Sequence, residues 1–307
     1  MFKALNSDKP TQQKNPHGFK TATETRSLPT QIPVNIQDHI ELSQQEASHL
    51  TDAQRTAIRG YTGFAAAVCN TALLGKEVNY MEAPAWRDIY SPMDFNNKEE
   101  LIDYMETLDE ALSVRKQESR ILYRGTPIYT SLHDEIGASI GKNLTVKDTE
   151  GLIAGLKEYF KPGKVFNNAN YLSTSTSAYI AAERTPNTAD TKQTYYEQAE
   201  ISGIVYELKT NAGLDVTGLA KAFRARERET ILPRDTHFKV VNVITKPEEY
   251  RTVSGYDNRY KPEKMHAKNF QKLAVIVQMV EVDAEGNEIT HTNPHKPETV
   301  LEKIIKN

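Results

Sequence analysis

The chain has 307 residues, a formal net charge of -3, 26% charged residues and 38% in the set AVILMFWYC. This length allows a real core in one extended domain or in two small ones, and the slight acidity excludes the basic stripe that nucleic-acid binding wants. The lone Cys69 excludes an intramolecular disulfide, and without an 18-residue apolar run there is no helical membrane span, so a soluble chain suited to a reducing compartment is expected.

Residues 1 to 42 are rich in Lys, Thr, Gln, Asn, Pro and Ser, poor in aromatics, and lack the apolar core of a secretory signal. They are expected to form a disordered leader, a candidate secretion or translocation signal, before a single domain over 43 to 307. Thr51-Asp-Ala-Gln54 has the form of a capping box. Ile58, Tyr61, Ala65 and Val68 then recur at helical steps, predicting one helix that runs to about Leu74 and stops at Gly75. A second helix starts at Asn97, with Leu101, Met105, Leu108 and Leu112 as its buried stripe. Helices dominate this front, residues 43 to 118.

The texture changes at 119. "RILYRGTPI" reads as a strand and "LIAGLKEYF" (152 to 160) as a helix. Strand patterns follow in "NYLSTST" (170 to 176), "SGIVYELKT" (202 to 210), "ETILP", "HFKVVNVIT" (237 to 245) and "KLAVIVQMVEV" (272 to 282). The last leads through "DAEGNE", a hairpin turn signal, into "ITHT". The economical fold class is α+β, with a mainly antiparallel sheet core over 119 to 307 fronted by helices. The stretch from 246 to 269 is long for a compact loop and is expected to be mobile or functional.

Three short signals occur in one order: Tyr123-Arg124-Gly125, Ser173-Thr174-Ser175 and Glu227-Arg228-Glu229. That order resembles the arginine-serine-glutamate class of ADP-ribosyltransferase toxins and effectors. The helix "LTDAQRTAIRGYTGFAAAVCN" is similar to one in the binary actin-modifying toxins, with Tyr61 and Asn70 at matching spacing. The resemblance covers roughly residues 48 to 245. It implies two small packed sheets around an NAD cleft, no metal, and transfer of ADP-ribose from NAD to a side chain of a host protein by a monomeric enzyme. Two positions depart from the toxin pattern. Ala66 stands where the actin-modifying toxins carry a tyrosine, which weakens actin as the target, and no phenylalanine follows the Ser-Thr-Ser strand at the family's spacing. Tyr179, Tyr195 and Tyr196 are the alternatives for stacking on nicotinamide.

The chemistry of these residue types fits the resemblance. Cleaving the nicotinamide-ribose bond builds positive charge on the ribose, so a carboxylate gripping the 2'-hydroxyl is stronger in the transition state; Glu229 is the candidate. Glu227 lies two residues earlier, and in an extended chain both acids would face one cleft, with Arg224, Arg226 and Arg228 opposite, able to steer an acidic target. A guanidinium attacks only when a base relieves it of a proton, so a Glu at 227 points to arginine as acceptor. Arg124 supplies a fixed cationic fork for phosphate or ribose groups. The resemblance assigns the backbone after Arg124, at Gly125, to the nicotinamide amide and Ser173 to orienting Glu229. It also gives Asn170, Tyr61 and Asn70 NAD contacts and Phe223 a contact to the target protein. Tyr61 equally fits the core, being on the apolar stripe, and Thr174 and Ser175 read as structural ties between the sheets. Helix propensity in "LAKAFRARERE" competes with the following "TILP", which favours one short turn before a strand. His291 and His295 in "HTNPH" lack a third ligand, against a metal site.

Overall fold

The structure, a computed structural model, describes residues 17, 36–76, 78, 95–128, 130–145, 148–183, 201–220, 225–245, 251–254 and 270–300. Residues 1–16 and 18–35 of the expected leader, Phe223, Tyr195 and Tyr196 lie outside them. Helix α1 (Ile36–Glu46) begins within the leader predicted from composition. It docks through polar groups rather than apolar area, which is why composition missed it. Ser43 Oγ donates to Asp215 O at 2.8 Å and accepts from Gly218 N at 3.0 Å, while His39 Nε2 lies 3.0 Å from the Asp215 carboxylate.

Helix α2 (Asp52–Gly60) starts on the predicted capping box. Gln54 N donates to Thr51 Oγ1 at 3.2 Å, and Thr51 N donates to Gln54 Oε1 at 3.0 Å. The single helix predicted to Leu74 is instead divided by a π-turn, Tyr61–Ala65, before α3 (Ala66–Leu73). The break falls at Gly63 (φ -93°, ψ -116°), the residue that leaves helical geometry at least cost. Gly75 then stops α3 with φ 67°, and Lys76 N closes on Thr71 O at 3.2 Å. Helix α4 (Lys98–Leu112) is capped by Asn97, whose side chain accepts from Glu100 N at 2.9 Å. Its predicted stripe Leu101, Met105, Leu108 and Leu112 is buried.

Strand β1 (Arg115–Pro127) begins inside the predicted helical front. Then come α5 (Thr130–Ser139), α6 (Thr149–Tyr159), β2 (Val165–Asn168), β3 (Leu172–Ser175), α7 (Ala178–Glu183), β4 (Ile201–Ala212) and β5 (Leu214–Asp215). A 3-10 turn (Ala225–Glu227) leads into β6 (Glu229–Leu232), followed by β7 (Thr236–Ile244), β8 (Arg251–Ser254) and β9 (Phe270–Val282). The expected loop from 246 to 269 thus contains a strand, β8, paired antiparallel to β9. The expected "ITHT" arm is reduced to one bridge, Val282↔Glu288, after the turn at Gly286.

The architecture is α+β. Among the described residues the strands lie in the order β2-β7-β9-β4-β1-β3-β6-β5, with β8 also on β9. Among the described strands only β4 and β9 run parallel. Strands β1 and β3 share the single register pair Tyr123↔Ser175, so the path consists of a large group ending at β1 and a small group, β3-β6-β5, joined at one point. The chain itself also passes tightly between the groups at the corner from β4 to β5, where Gly213 has φ 91°. A Cβ there would lie 2.9 Å from Ile231 O.

The helices divide between the two groups. Helices α2 to α4 pack with Tyr171, Leu214, Val216 and Ile231 of the small group. Helices α5 and α6 bury Ile136, Leu152 and Leu156 with Leu122, Leu208, Val277 and Met279 of the large group, while α7 covers its other face at Val205 and Ile276.

The fully buried Arg234 anchors the helical front. Its guanidinium meets Asp109 of α4 at 2.7 Å and Asp235 at 2.7 Å, and Asp109 also accepts from Tyr171 Oη at 2.8 Å. Arg234→Met should cost roughly 3–5 kcal/mol in denaturant unfolding, because Asp109 is left as an uncompensated buried charge; adding Asp109→Asn should recover part of it.

Residues 289 to 300 run back as a strap. His295 N donates to Ser113 O at 2.8 Å, His295 Nε2–H donates to Arg234 O at 2.8 Å, and Arg115 Nη2 lies 3.4 Å from Nδ1. Burial holds the His295 imidazole below the ordinary histidine value, and the Arg115 charge adds to this against Arg234 O, Glu281 and Asp235. A histidine with a depressed folded pKa contributes stability above its unfolded value, about 6.5, and loses it as pH falls through the folded value. Melting temperature should therefore fall below pH ~6.5, and His295→Leu should flatten that part of the profile.

Candidate active site

Register builds the site. Because Tyr123 pairs with Ser175, Arg124 stands one residue past the joint, and its Nη1–H reaches across to Ser173 O at 2.6 Å. Strand β3 pairs with β6 as Ser173↔Ile231, Thr174↔Thr230 and Ser175↔Glu229. Alternation then puts Ser173, Ser175, Glu229 and Ile231 on the face turned towards the N-terminal helices, where Ile231 packs. Thus three sequence signals far apart in the chain meet at the junction of the two strand groups.

The acid pair is held differently from the expectation. Glu227 ends the 3-10 turn, and Arg228 has φ 46°, the left-handed region that non-glycine residues enter at a cost; the strand begins only at Glu229. Strand alternation therefore does not relate Glu227 to Glu229. Arg228 is buried at 9% exposure, so it does not form the outward steering surface predicted for it; Arg224 and the side chain of Arg226 lie outside the described residues. Main-chain and hydroxyl contacts pin the turn on both sides. Ser175 Oγ donates to Glu227 O at 2.7 Å, Thr176 N to Arg228 O at 3.2 Å, and Val216 N to Glu229 O at 2.9 Å. Glu229 is 6% exposed, whereas Glu227 is half-buried.

The Ser-Thr-Ser strand also divides its work differently. Thr174 Oγ1 donates to Thr230 O at 2.7 Å, tying β3 to β6 within the small group rather than tying the two groups together. Ser175 contributes to the inter-group joint through its backbone register, and its hydroxyl serves the acid turn. Ser173 lies across from Ile231 and offers its carbonyl to Arg124.

On the helical side, Tyr61 is 1% exposed. Its ring packs edge-on to Tyr171 at 5.4 Å, and its hydroxyl donates to Tyr171 O at 3.2 Å. Its placement is the core one that its apolar stripe predicts. Burial holds its phenol well above the ordinary tyrosine value; the Asn70 hydrogen bond opposes this, and weaker influences come from Glu229 and Arg124. Asn70 Nδ2 donates to the Tyr61 hydroxyl at 3.4 Å. Among the described residues the side-chain carbonyls of Asn70 and Asn170 are buried without hydrogen-bond partners. Gly125, opposite Val205, continues β1 past the arginine.

Beside Arg124, between the sheet and helices α5 and α6, lies a cavity of about 260 Å³. Its wall includes Arg124, Thr126, Tyr159, Phe166, Tyr206 and Phe238. Of these only Arg124 stands out in the sequence. The aromatic wall is assembled from the end of α6 (Tyr159) and from three strands (Phe166, Tyr206 and Phe238), and Tyr206 pairs directly with Arg124. Among the described residues no group of three or more His, Cys, Asp or Glu could hold a metal ion, and no helix is long and apolar enough to cross a membrane. His295 is occupied with Arg234 and Arg115, and His291 offers its carbonyl to Asn211.

An α+β sheet junction carrying an arginine, a serine strand and a Glu-x-Glu turn defines a class of NAD-cleaving transferase folds. The chain belongs to the ADP-ribosyltransferase exoenzyme family, whose model matches residues 40–272. Among solved structures it is similar to BECa, the ADP-ribosylating toxin of a C. perfringens binary enterotoxin, crystallised with NADH. The identity is 15% and the TM-score 0.51, over 81% of this chain and 48% of that one. The chain therefore spans about half the length of that toxin component. The Clostridium limosum C3 exoenzyme matches with 16% identity and TM-score 0.48, over 82% of this chain and 97% of that one. Plx2a, an ADP-ribosyltransferase toxin from Paenibacillus larvae, matches with 18% identity and TM-score 0.46, over 81% and 98%. No curated protein matches the chain.

Thr174→Val should cost about 1 kcal/mol in denaturant unfolding without altering the circular dichroism spectrum, since it removes one buried hydroxyl donor at nearly constant volume.

Proposed function

We propose that this protein is an NAD-dependent protein-arginine mono-ADP-ribosyltransferase, a toxin or effector that is secreted or injected and acts on a host protein. The observation that carries the reading is the meeting of Arg124, the Ser173–Ser175 strand and the Glu227–Glu229 turn at one sheet junction, in a chain of the exoenzyme family. NAD is the substrate. Arg124 suits its phosphates, and the buried carbonyls of Asn70 and Asn170 suit hydroxyl or amine donors of its sugars and bases. The aromatic cavity beside Arg124 suits a planar ring.

In this reading the bond between ribose C1' and the nicotinamide nitrogen breaks, and its electron pair leaves with nicotinamide. Glu229 holds the 2'-hydroxyl and stabilises the cationic ribose. Glu227, on the more exposed side of the turn, accepts a proton from the target guanidinium as its nitrogen bonds to C1'. The products are ADP-ribosyl-arginine, nicotinamide and a proton. Glutamate rather than glutamine at 227 supports arginine as the acceptor, because an amide cannot take that proton.

Agmatine, a free guanidine acceptor, provides the test. Wild-type protein should modify it with NAD; Glu227→Gln should lower that transfer about 10²-fold or more while sparing slow NAD hydrolysis, and Glu229→Gln should lower both. Intact agmatine transfer in Glu227→Gln would rule out the arginine assignment, and hydrolysis without transfer by the wild type would identify a glycohydrolase.

A further inference from the structure

Helix α1 grips the segment that leads to the acid turn. Ser43 Oγ bonds both ends of the stretch Asp215–Gly218, donating to Asp215 O at 2.8 Å and accepting from Gly218 N at 3.0 Å. Asp215 N donates to Glu46 Oε1 at 3.2 Å, and Gln44 Nε2 donates to Gly218 O at 3.4 Å. The approach is so close that a Cβ on Gly218 would lie 2.6 Å from Ile40 O. Glu46 reaches the large strand group as well, because its other carboxylate oxygen pairs with Lys116 of β1. From the gripped stretch, Val216 N donates to Glu229 O at 2.9 Å. Farther along the chain, the 3-10 turn that ends at Glu227 lies beside α1 again. One helix therefore underlies both ends of the segment between β5 and the acid pair.

The two acids depend on α1 unequally. Glu229 begins a strand, and its pairing with Ser175 of β3 holds it independently of α1. Glu227 precedes that strand, in a turn whose approach from β5 is fixed by the α1 contacts. A serine hydroxyl buried at 1% exposure is costly unless it is hydrogen-bonded, and both bonds of Ser43 go to this one stretch. We propose that Ser43 and Glu46 are positioning residues for Glu227, so that α1 makes a guanidine, rather than water, the main acceptor of ADP-ribose. With Glu227 displaced, the guanidinium keeps its proton and cannot attack. Water then bonds to C1' in its place, releasing ADP-ribose, nicotinamide and a proton. The inference rests on the transferase reading above, since it concerns the acceptor step of that reaction.

The partition ratio, agmatine transfer over NAD hydrolysis, is the readout, because a loss of folded protein lowers both rates alike and leaves it unmoved. Ser43→Ala and Glu46→Ala should each lower the ratio about fivefold to tenfold, the scale of one or two lost hydrogen bonds, with KM for NAD little changed. Glu46→Gln keeps an acceptor for Asp215 N and should stay within about twofold of wild type, as should Leu42→Ala on the exposed side of the same helix. Folded Ser43→Ala and Glu46→Ala proteins with the wild-type ratio would overturn the inference while leaving the transferase reading intact. If Glu46→Ala does not fold, Ser43→Ala, which removes a single oxygen atom, decides the matter in the same way. A wild type that hydrolyses NAD without modifying agmatine overturns the transferase reading, and this inference with it.

Discussion

The two strand groups touch through one register pair, Tyr123 with Ser175, and the geometry of the candidate active site follows from that constraint. On the large side, β1 and β4 are paired from Arg120↔Thr210 to Pro127↔Gly203, so Tyr123 has little freedom to slide. On the small side, β3 is paired along its whole length with β6. A slip of one residue at the joint would turn every side chain of β3 to the opposite face and carry Ser173 and Ser175 away from the helices. With the joint in place, two bonds span the gap that matters: Arg124 to Ser173 O within the groups' contact, and Ser175 Oγ to Glu227 O along the small group. The cation and the acids belong to different groups, and their spacing is set where the groups meet.

That arrangement demands that the small group be held rigidly, since its three strands are short. The helical front supplies the hold. Tyr171, at the entrance to β3, packs on Tyr61 and bonds to Met105 O and Asp109, and Asp109 is gripped by Arg234 at the exit of β6. The carboxyl-terminal strap closes the same region, with Arg234 donating to Glu298 O and His295 donating to Arg234 O. Both strands of the β3–β6 pair are thereby fastened to α4 at one end, the end opposite the acid turn. Net destabilisation from burying these charges is offset only because each is met by several partners, which is the condition under which buried ion pairs fix geometry.

Capped and strongly periodic elements were legible in the sequence. The Thr51 box, the Asn97 cap and the stripe of α4 are local features, and the strands β4, β7 and β9 are long apolar or alternating runs whose character no neighbour overrides. The elements that escaped are those decided by contacts. Helix α1 is docked by polar bonds to Asp215 and Gly218, and the π-turn at Gly63 interrupts an otherwise continuous apolar stripe. Within the site, the order of Arg124, Ser173 and Glu229 could be read from residue types, but the finer assignments could not. Ser175 looked like an ordinary strand hydroxyl because its partner, Glu227 O, belongs to a turn 52 positions away.

The run "AFRARERETILP" concentrates the conflict between local preference and tertiary demand. Its composition favours helix, and a 3-10 turn does form at Ala225–Glu227, but β6 must start at Glu229 to meet Ser175. The two requirements leave Arg228 one residue in which to change direction, and it does so in a left-handed conformation with its side chain buried. This sharp reversal separates the environments of two acids that sequence spacing alone would have made equivalent. Glu229 belongs to a strand and is nearly enclosed, while Glu227 belongs to a turn and keeps access to solvent. On the transferase reading that difference divides the labour. An enclosed carboxylate acts most strongly on a nascent ribosyl cation where water is scarce, and a more open one can receive a guanidinium delivered by another protein. The backbone strain at Arg228 is then the cost of giving two neighbouring glutamates two different tasks.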